Sequence, residues 1–162
     1  MIANSLSRGV CAALVLVLGT ACRAAAGPGD VRDLTLTTTI SRTTIPAGGQ
    51  SGVLEIRLSN HSGHPVSLSF PSSCQVLYYI ETTDGKLTYP LGGGWGCLTV
   101  VTELDIGPGE EIVRDVEIRG GPAPAIYPPP LLPAGAYRAY AELGERPRPL
   151  LSSNRVTFSV VE

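Results

Sequence analysis

Cys74-Gln75-Val76-Leu77-Tyr78-Tyr79-Ile80-Glu81-Thr82-Thr83-Asp84-Gly85-Lys86-Leu87-Thr88-Tyr89 is the stretch on which the fold turns. Successive side chains of an extended chain point to opposite faces, so Cys74, Val76, Tyr78 and Ile80 fall on one side of a strand. Aromatic and β-branched residues dominate the run, and Asp84-Gly85 separates it from a second short apolar run. Asp-Gly in that setting predicts a hairpin with a type I′ turn, which asks both central residues for positive φ.

The same period of two continues on both sides. Leu34, Leu36, Thr38 and Ile40 alternate with polar residues, Leu54, Ile56 and Leu58 with Glu55 and Arg57, and Val66, Leu68 and Phe70 with serines. Residues 98–104, 111–118, 136–143 and 155–161 extend the series, and no segment sustains a helical period. The pattern predicts one all-β domain over residues 31–162, an immunoglobulin-like antiparallel β-sandwich of about eight or nine strands. Ile45-Pro46-Ala47-Gly48, Ile106-Gly107-Pro108-Gly109 and Leu132-Pro133-Ala134-Gly135 each precede a strand. Proline presets the turn and glycine accepts a left-handed exit, so all three are expected to be structural turns.

The N-terminus reads as a targeting segment. Arg8 is followed by an apolar run at residues 10–18 that is too short for a stable membrane span, so residues 1–21 are expected to be a signal peptide. Leu18-Gly19-Thr20-Ala21-Cys22 resembles a bacterial lipobox, with Gly19 where leucine is usual. This assigns lipidation to Cys22, anchorage in the bacterial envelope, and a flexible tether at residues 22–30. Ala24-Ala25-Ala26 offers the alternative of ordinary cleavage and a soluble secreted or periplasmic protein. Removing Arg8 with the signal moves the net charge from −2 to −3, and the remaining basic residues are scattered singly. Nucleic acid is therefore not an expected partner.

With Cys11 lost and Cys22 lipidated, Cys74 and Cys97 remain as one pair, expected to form a disulfide in an oxidising compartment. Two histidines in one turn-like stretch, His61 and His64, make no credible zinc set, so no metal and no cofactor are expected. No Gly-x-Ser-x-Gly elbow accompanies them, and Glu103, Asp105, Glu110 and Glu111 read as solvated charge, so the chain is expected not to be an enzyme. The same acids lack the regular spacing of a calcium loop. Asn60-His61-Ser62 matches a glycosylation acceptor, which in a bacterium is fortuitous.

From Leu54 to Phe158 the chain resembles the BsuPI-type intracellular proteinase inhibitor domain, an immunoglobulin-like family. The resemblance rests on Leu58-Ser59-Asn60, Pro65-Val66-Ser67-Leu68-Ser69-Phe70, residues 74–80, Asp84-Gly85, Ile106-Gly107-Pro108-Gly109-Glu110 and Pro133-Ala134-Gly135-Ala136-Tyr137. It implies the fold and a role in restraining a protease, and assigns no inhibitory residue. The expected function is therefore that of an exported, non-enzymatic protein-binding domain with an exported serine protease as partner. The alternative is a structural or assembly module of the cell envelope.

Two loops supply candidate contacts. Trp95 lies on the glycine-rich stretch before Cys97, either as an exposed anchor or folded back over the sandwich edge. Tyr127, Pro129 and Leu131 lie in a proline-rich stretch that serves either as a semi-rigid binding segment or as a crossover between strands.

Overall fold

The computed structural model describes residues 30–122 and 129–162. Each run read as a strand contributes one, the run at residues 98–104 only from Thr102: β1 (Leu34–Ile40), β3 (Gly52–Asn60), β4 (Val66–Phe70), β5 (Val76–Thr82), β6 (Leu87–Tyr89), β7 (Thr102–Ile106), β8 (Glu111–Gly120), β10 (Gly135–Leu143) and β12 (Val156–Val161). Three short strands join them, β2 (Thr44–Pro46), β9 (Leu131–Leu132) and β11 (Leu151–Ser152). One sheet has the order β1-β3-β8-β9 and the other β2-β12-β10-β5-β6, with β11 on the end of β10. Pairing is antiparallel except where β2 meets β12 and β9 meets β8. The result is the expected immunoglobulin-like sandwich.

Alternation places the core between the sheets. Leu34, Leu36, Leu54, Ile56, Leu58 and Ile118 from the first sheet meet Tyr78, Ile80, Tyr137, Ala139, Phe158 and Val160 from the second. Each large side chain so buried contributes ~1.5–3 kcal/mol. Thr38 takes an inward place in β1 without a cost in unpaired polar atoms. Its amide donates to Asn154 Oδ1 (2.9 Å), its hydroxyl donates to the Asn154 carbonyl (2.7 Å), and Asn154 Nδ2 donates to the Thr38 carbonyl (2.9 Å).

β4 and β7 pair as a separate antiparallel ribbon, whose Val66, Phe70 and Ile106 join the core. Asn60 holds its first end. Its buried amide donates to the carbonyls of His64 (2.8 Å), Ile106 (3.0 Å) and Gly107 (3.0 Å), while its Oδ1 accepts from the Ser62 amide and hydroxyl. The other end meets the start of β5, where the Thr102 hydroxyl donates to the Ser72 carbonyl (2.7 Å) and Gln75 Nε2 to the Glu103 carbonyl (3.0 Å). With all its donors engaged indoors, Asn60 is no glycosylation acceptor.

Four local expectations change. The Asp84-Gly85 turn has one left-handed residue, Gly85 (φ 91°), and not two. The Gly85 amide donates to the Thr82 carbonyl and the Thr82 amide to the Lys86 carbonyl, both at 2.9 Å. That is a tight turn closed by a glycine bulge, which a hairpin twist accepts as readily as type I′. Cys74 lies outside β5 and packs with Leu77, Tyr79 and Tyr140 on the sheet's outer side, because the loops at residues 90–97 and 144–150 cover that face. Residues 98–101 are not strand, since β7 begins only where β4 supplies an edge, at Thr102. Gly48 and Gly109 take left-handed φ as expected, whereas Gly135 enters β10 directly beneath the Tyr137 ring.

Candidate functional site

The loop after β6 leaves the sheet at Pro90 and passes Gly92 and Gly93, both left-handed at φ 77° and 82°. Those angles turn it back over the open side of the sandwich. Trp95 is half-buried there, edge-on to Tyr78 (4.7 Å between ring centroids) and to Tyr89 (5.6 Å). It has folded back over the sandwich edge, against the core. Burial raises the Tyr78 hydroxyl pKa far above its ordinary value, so it stays protonated.

Three consecutive residues then fasten the segment beyond Trp95. Cys74 is bonded to Cys97, with Cα atoms 5.5 Å apart. Ser73 Oγ accepts from the Leu98 amide (2.9 Å), and the Ser73 amide donates to the Leu98 carbonyl (3.0 Å). Ser72 holds Thr102 through its carbonyl. Tight three-residue turns close between Trp95 and Cys97 and between Leu98 and Val100. The side chains between these anchors project into solvent: Leu98 is 71% exposed, Val100 49% and Val101 70%.

The loop rests on a polar and aromatic platform. The Arg146 guanidinium lies 4.1 Å over Tyr79 and its Nε donates to Glu142 (3.1 Å), while Arg155 lies 4.5 Å over Tyr140. Burial opposes the Arg146 charge, but the Glu142 hydrogen bond and carboxylate, with Tyr140, hold its pKa above the ordinary value. A depression of ≈ 170 Å³ lies between this platform and the loop, lined by Leu77, Tyr79, Trp95, Cys97 and Arg146 among others. A wider groove of ≈ 570 Å³ runs on the other side of Trp95, between β5 and β8, past Ile56, Tyr78, Arg114 and Val116. Cys74, Cys97 and Glu145 place ligand-type atoms within 4.8 Å of one another. Both thiols are spent in the disulfide, which leaves Glu145 as the lone ionic ligand.

The other candidate contacts do not gather here. Pro129 is half-buried, and Leu131 lies in β9 against Gly121, beside the opposite end of β8. Cys22 and Tyr127 lie outside the described residues, as does the stretch read as signal peptide and tether up to residue 29. Among the described residues no helix is long and apolar enough to cross a membrane. Sequence reading missed Leu98, Val100 and Val101 as exposed residues, because their β-branched and aliphatic character reads as strand. The available signal was the break in alternation at Val100-Val101 just after a disulfide cysteine.

The family model described as BsuPI, intracellular proteinase inhibitor, matches residues 39–147. The chain belongs to the BsuPI family. The match starts at the end of β1 and stops before β11 and β12, so it is shifted toward the N-terminus from the Leu54 to Phe158 span of the sequence resemblance. The BsuPI description is that of an inhibitor and not of a catalyst. No curated protein matches the chain by sequence. Among solved structures, a CARDB domain from Pyrococcus furiosus, determined with di-metal ions, is 20% identical with a TM-score of 0.45, covering 80% of this chain and 88% of that one. A β-glucosidase from Listeria innocua in complex with glucose is 12% identical with a TM-score of 0.45, covering 80% of this chain and 16% of that one. The BsuPI description says intracellular, whereas the Cys74–Cys97 disulfide is a feature of extracytoplasmic proteins.

Proposed function

We propose that this BsuPI-family chain is a proteinase inhibitor acting outside the cytoplasm, with residues 97–101 as the segment presented to the enzyme. The observation that carries the reading is the succession of exposed apolar side chains Leu98, Val100 and Val101 on a segment pinned by Cys74, Ser73 and Ser72. Exposed apolar groups that cluster mark interaction surfaces. Pinning lowers the ordering entropy that binding costs. The partner is an exported serine protease with apolar subsites, and a lipid on Cys22 holds the inhibitor at the envelope. The disulfide supports export, and the family supports the inhibitory class.

The test titrates the oxidised full chain against a panel of exported serine proteases, reading residual activity and intact mass together. The expected result is stoichiometric loss of activity without degradation, weakened at least about 30-fold by Leu98→Asp, as for a binding hot spot. Undiminished activity of every protease would remove the inhibitory reading and leave the structural envelope module. Intact mass of the protein extracted from membranes, beside Cys22→Ser, tests the anchor: the diacylglyceryl mass must be present and must vanish in the variant.

A further inference from the structure

Among the described residues, the side of β8 away from β3 is unpaired from Glu111 to Ile118. On one side it pairs with β3 from Glu111 to Ile118, and on the other only Arg119 and Gly120 are paired, with β9, among the described residues. The Arg119 amide donates to the Pro130 carbonyl on that outer side (2.9 Å). Backbone groups alternate sides along a strand, so the N–H and C=O of Glu111, Val113, Asp115 and Glu117 also face outward. Natural edges are commonly blunted by proline, lysine or a bulge. Residues 111–117 contain no proline and no lysine, and their register with β3 runs without a shift, so among these devices the edge is guarded only by the charges of Glu111, Arg114, Asp115 and Glu117.

We propose that this edge takes up an extended segment of another protein in which lysine or arginine alternates with apolar residues, added antiparallel as the next strand of the sheet. Charge selects the basic residues. Glu111, Val113, Asp115 and Glu117 share the sheet's outer face; Glu111 is paired with Arg57, and Glu117 with Arg119 (2.8 Å). Asp115 has no ion pair among the described residues and stands in register with Glu55, a like-charge pair, while Glu55 is itself turned to Arg57 (2.9 Å). A cation opposite Asp115 offsets that repulsion. Shape selects the apolar residues, because the alternate side chains of the added strand enter the ≈ 570 Å³ groove beside Ile56, Tyr78, Trp95 and Val116.

A second copy of the chain does not fit the same edge. Symmetric antiparallel pairing centred on Arg114 sets Arg114 against itself. Centring on Val113 sets Glu111 against Asp115, and centring on Asp115 sets that carboxylate against its own copy. Like charges directly opposite are destabilising in every case. The inference does not rest on the inhibitory reading, which uses residues 97–101.

The test mixes the full chain with two synthetic peptides, acetyl-Val-Lys-Val-Lys-Val-Lys-Val-amide and the same peptide with glutamate for lysine, and follows amide hydrogen exchange. The lysine peptide is expected to slow exchange at Val113, Asp115 and Glu117 at least about tenfold, and the glutamate peptide to leave it unchanged. Asp115→Lys is expected to weaken lysine-peptide binding about tenfold. Val113→Pro, which removes an outward N–H, should abolish it; if that variant does not fold, Asp115→Lys decides. Absence of protection, equal protection by both peptides, or protection confined to other strands would overturn the proposal. So would concentration-dependent dimerisation that protects the same amides without peptide.

Discussion

Trp95 stands edge-on to Tyr78, with ring centroids 4.7 Å apart and planes at 66°, and Tyr78 in turn stacks on Tyr89 at 5.4 Å. Through this contact a solvent-facing loop is fastened to the core between the sheets. Aromatic pairs in such geometry add ~0.5–1.5 kcal/mol beyond the area they bury. Trp95→Ala removes that pair and its packing, and is expected to lower the unfolding free energy by about 3 kcal/mol. Urea denaturation followed by circular dichroism measures it, with Trp95→Phe recovering at least half of the loss. A change within about 0.5 kcal/mol would mean that the ring contributes nothing to the fold.

Asn60→Leu keeps the branched shape of the buried side chain and removes the amide NH2, whose two hydrogens are shared among three carbonyls. The bonds to the carbonyls of His64, Ile106 and Gly107 go together, and although the Ser62 hydroxyl still serves His64 and the Glu110 amide Gly107, the cost is about 2 kcal/mol. Native-state hydrogen exchange should also quicken first in β4 and β7, whose attachment to β3 runs through this residue. Uniform acceleration over both sheets would contradict the ribbon's dependence on Asn60.

Replacing Cys74 and Cys97 together by serine opens a closure of 23 residues. The unfolded chain regains the freedom that the closure removed, which lowers stability by about 3 kcal/mol in the chain-entropy model. The Leu98 amide should lose its protection from exchange, and inhibition of a susceptible protease should weaken in step with it. Full inhibition by the double variant would place the contact somewhere other than residues 97–101.

Acid should weaken the fold through surface carboxylates. Arg57 beside Glu111 holds that carboxyl below its ordinary range, the Thr82 hydroxyl does so for Asp84, and Arg119 does so for Glu117. A carboxyl whose pKa is lower folded than unfolded stabilises above the unfolded value and loses that contribution as pH falls through the folded one. The urea midpoint should therefore stay level from neutrality down to about pH 5 and decline below about pH 4. High salt should flatten the decline, because none of the three groups is buried. Glu111→Gln, Asp84→Asn and Glu117→Gln combined should flatten it too; an unchanged slope would assign acid sensitivity to other groups.

Much of this structure is legible in the sequence, and the particular failures share one cause. Leu34–Ile40 and Val66–Phe70 are strands with the bounds that alternation gives them. The pairing of Cys74 with Cys97 follows from the domain having one pair of cysteines. Residues 98–101 have the composition of a strand, but a strand needs an edge to pair with, and β4 supplies one only from Thr102. Cys74 has the parity of an inward residue, but the chain at Ser72 and Ser73 is held by hydrogen bonds to the loop and does not follow the strand's alternation. Of the candidate contacts, Trp95 could be read as exposed or folded back, and Tyr78 and Tyr89 decide for the second.

The sequence by itself determined that this chain is an all-β sandwich and where most of its longer strands lie, because strand periodicity and turn chemistry act between near neighbours, and its motifs pointed to its family. Only the tertiary structure decided that Leu98, Val100 and Val101 stand exposed, that Asn60 ties the β4–β7 ribbon to the sandwich, and that among the described residues the outer side of β8 is paired only at Arg119 and Gly120. Each of these depends on which distant segments reach one another, Ser73 with Leu98, Asn60 with Ile106, β9 with only the last residues of β8. Local pattern fixes what a segment is able to pair with, and only the closed fold fixes what is left for it to pair with.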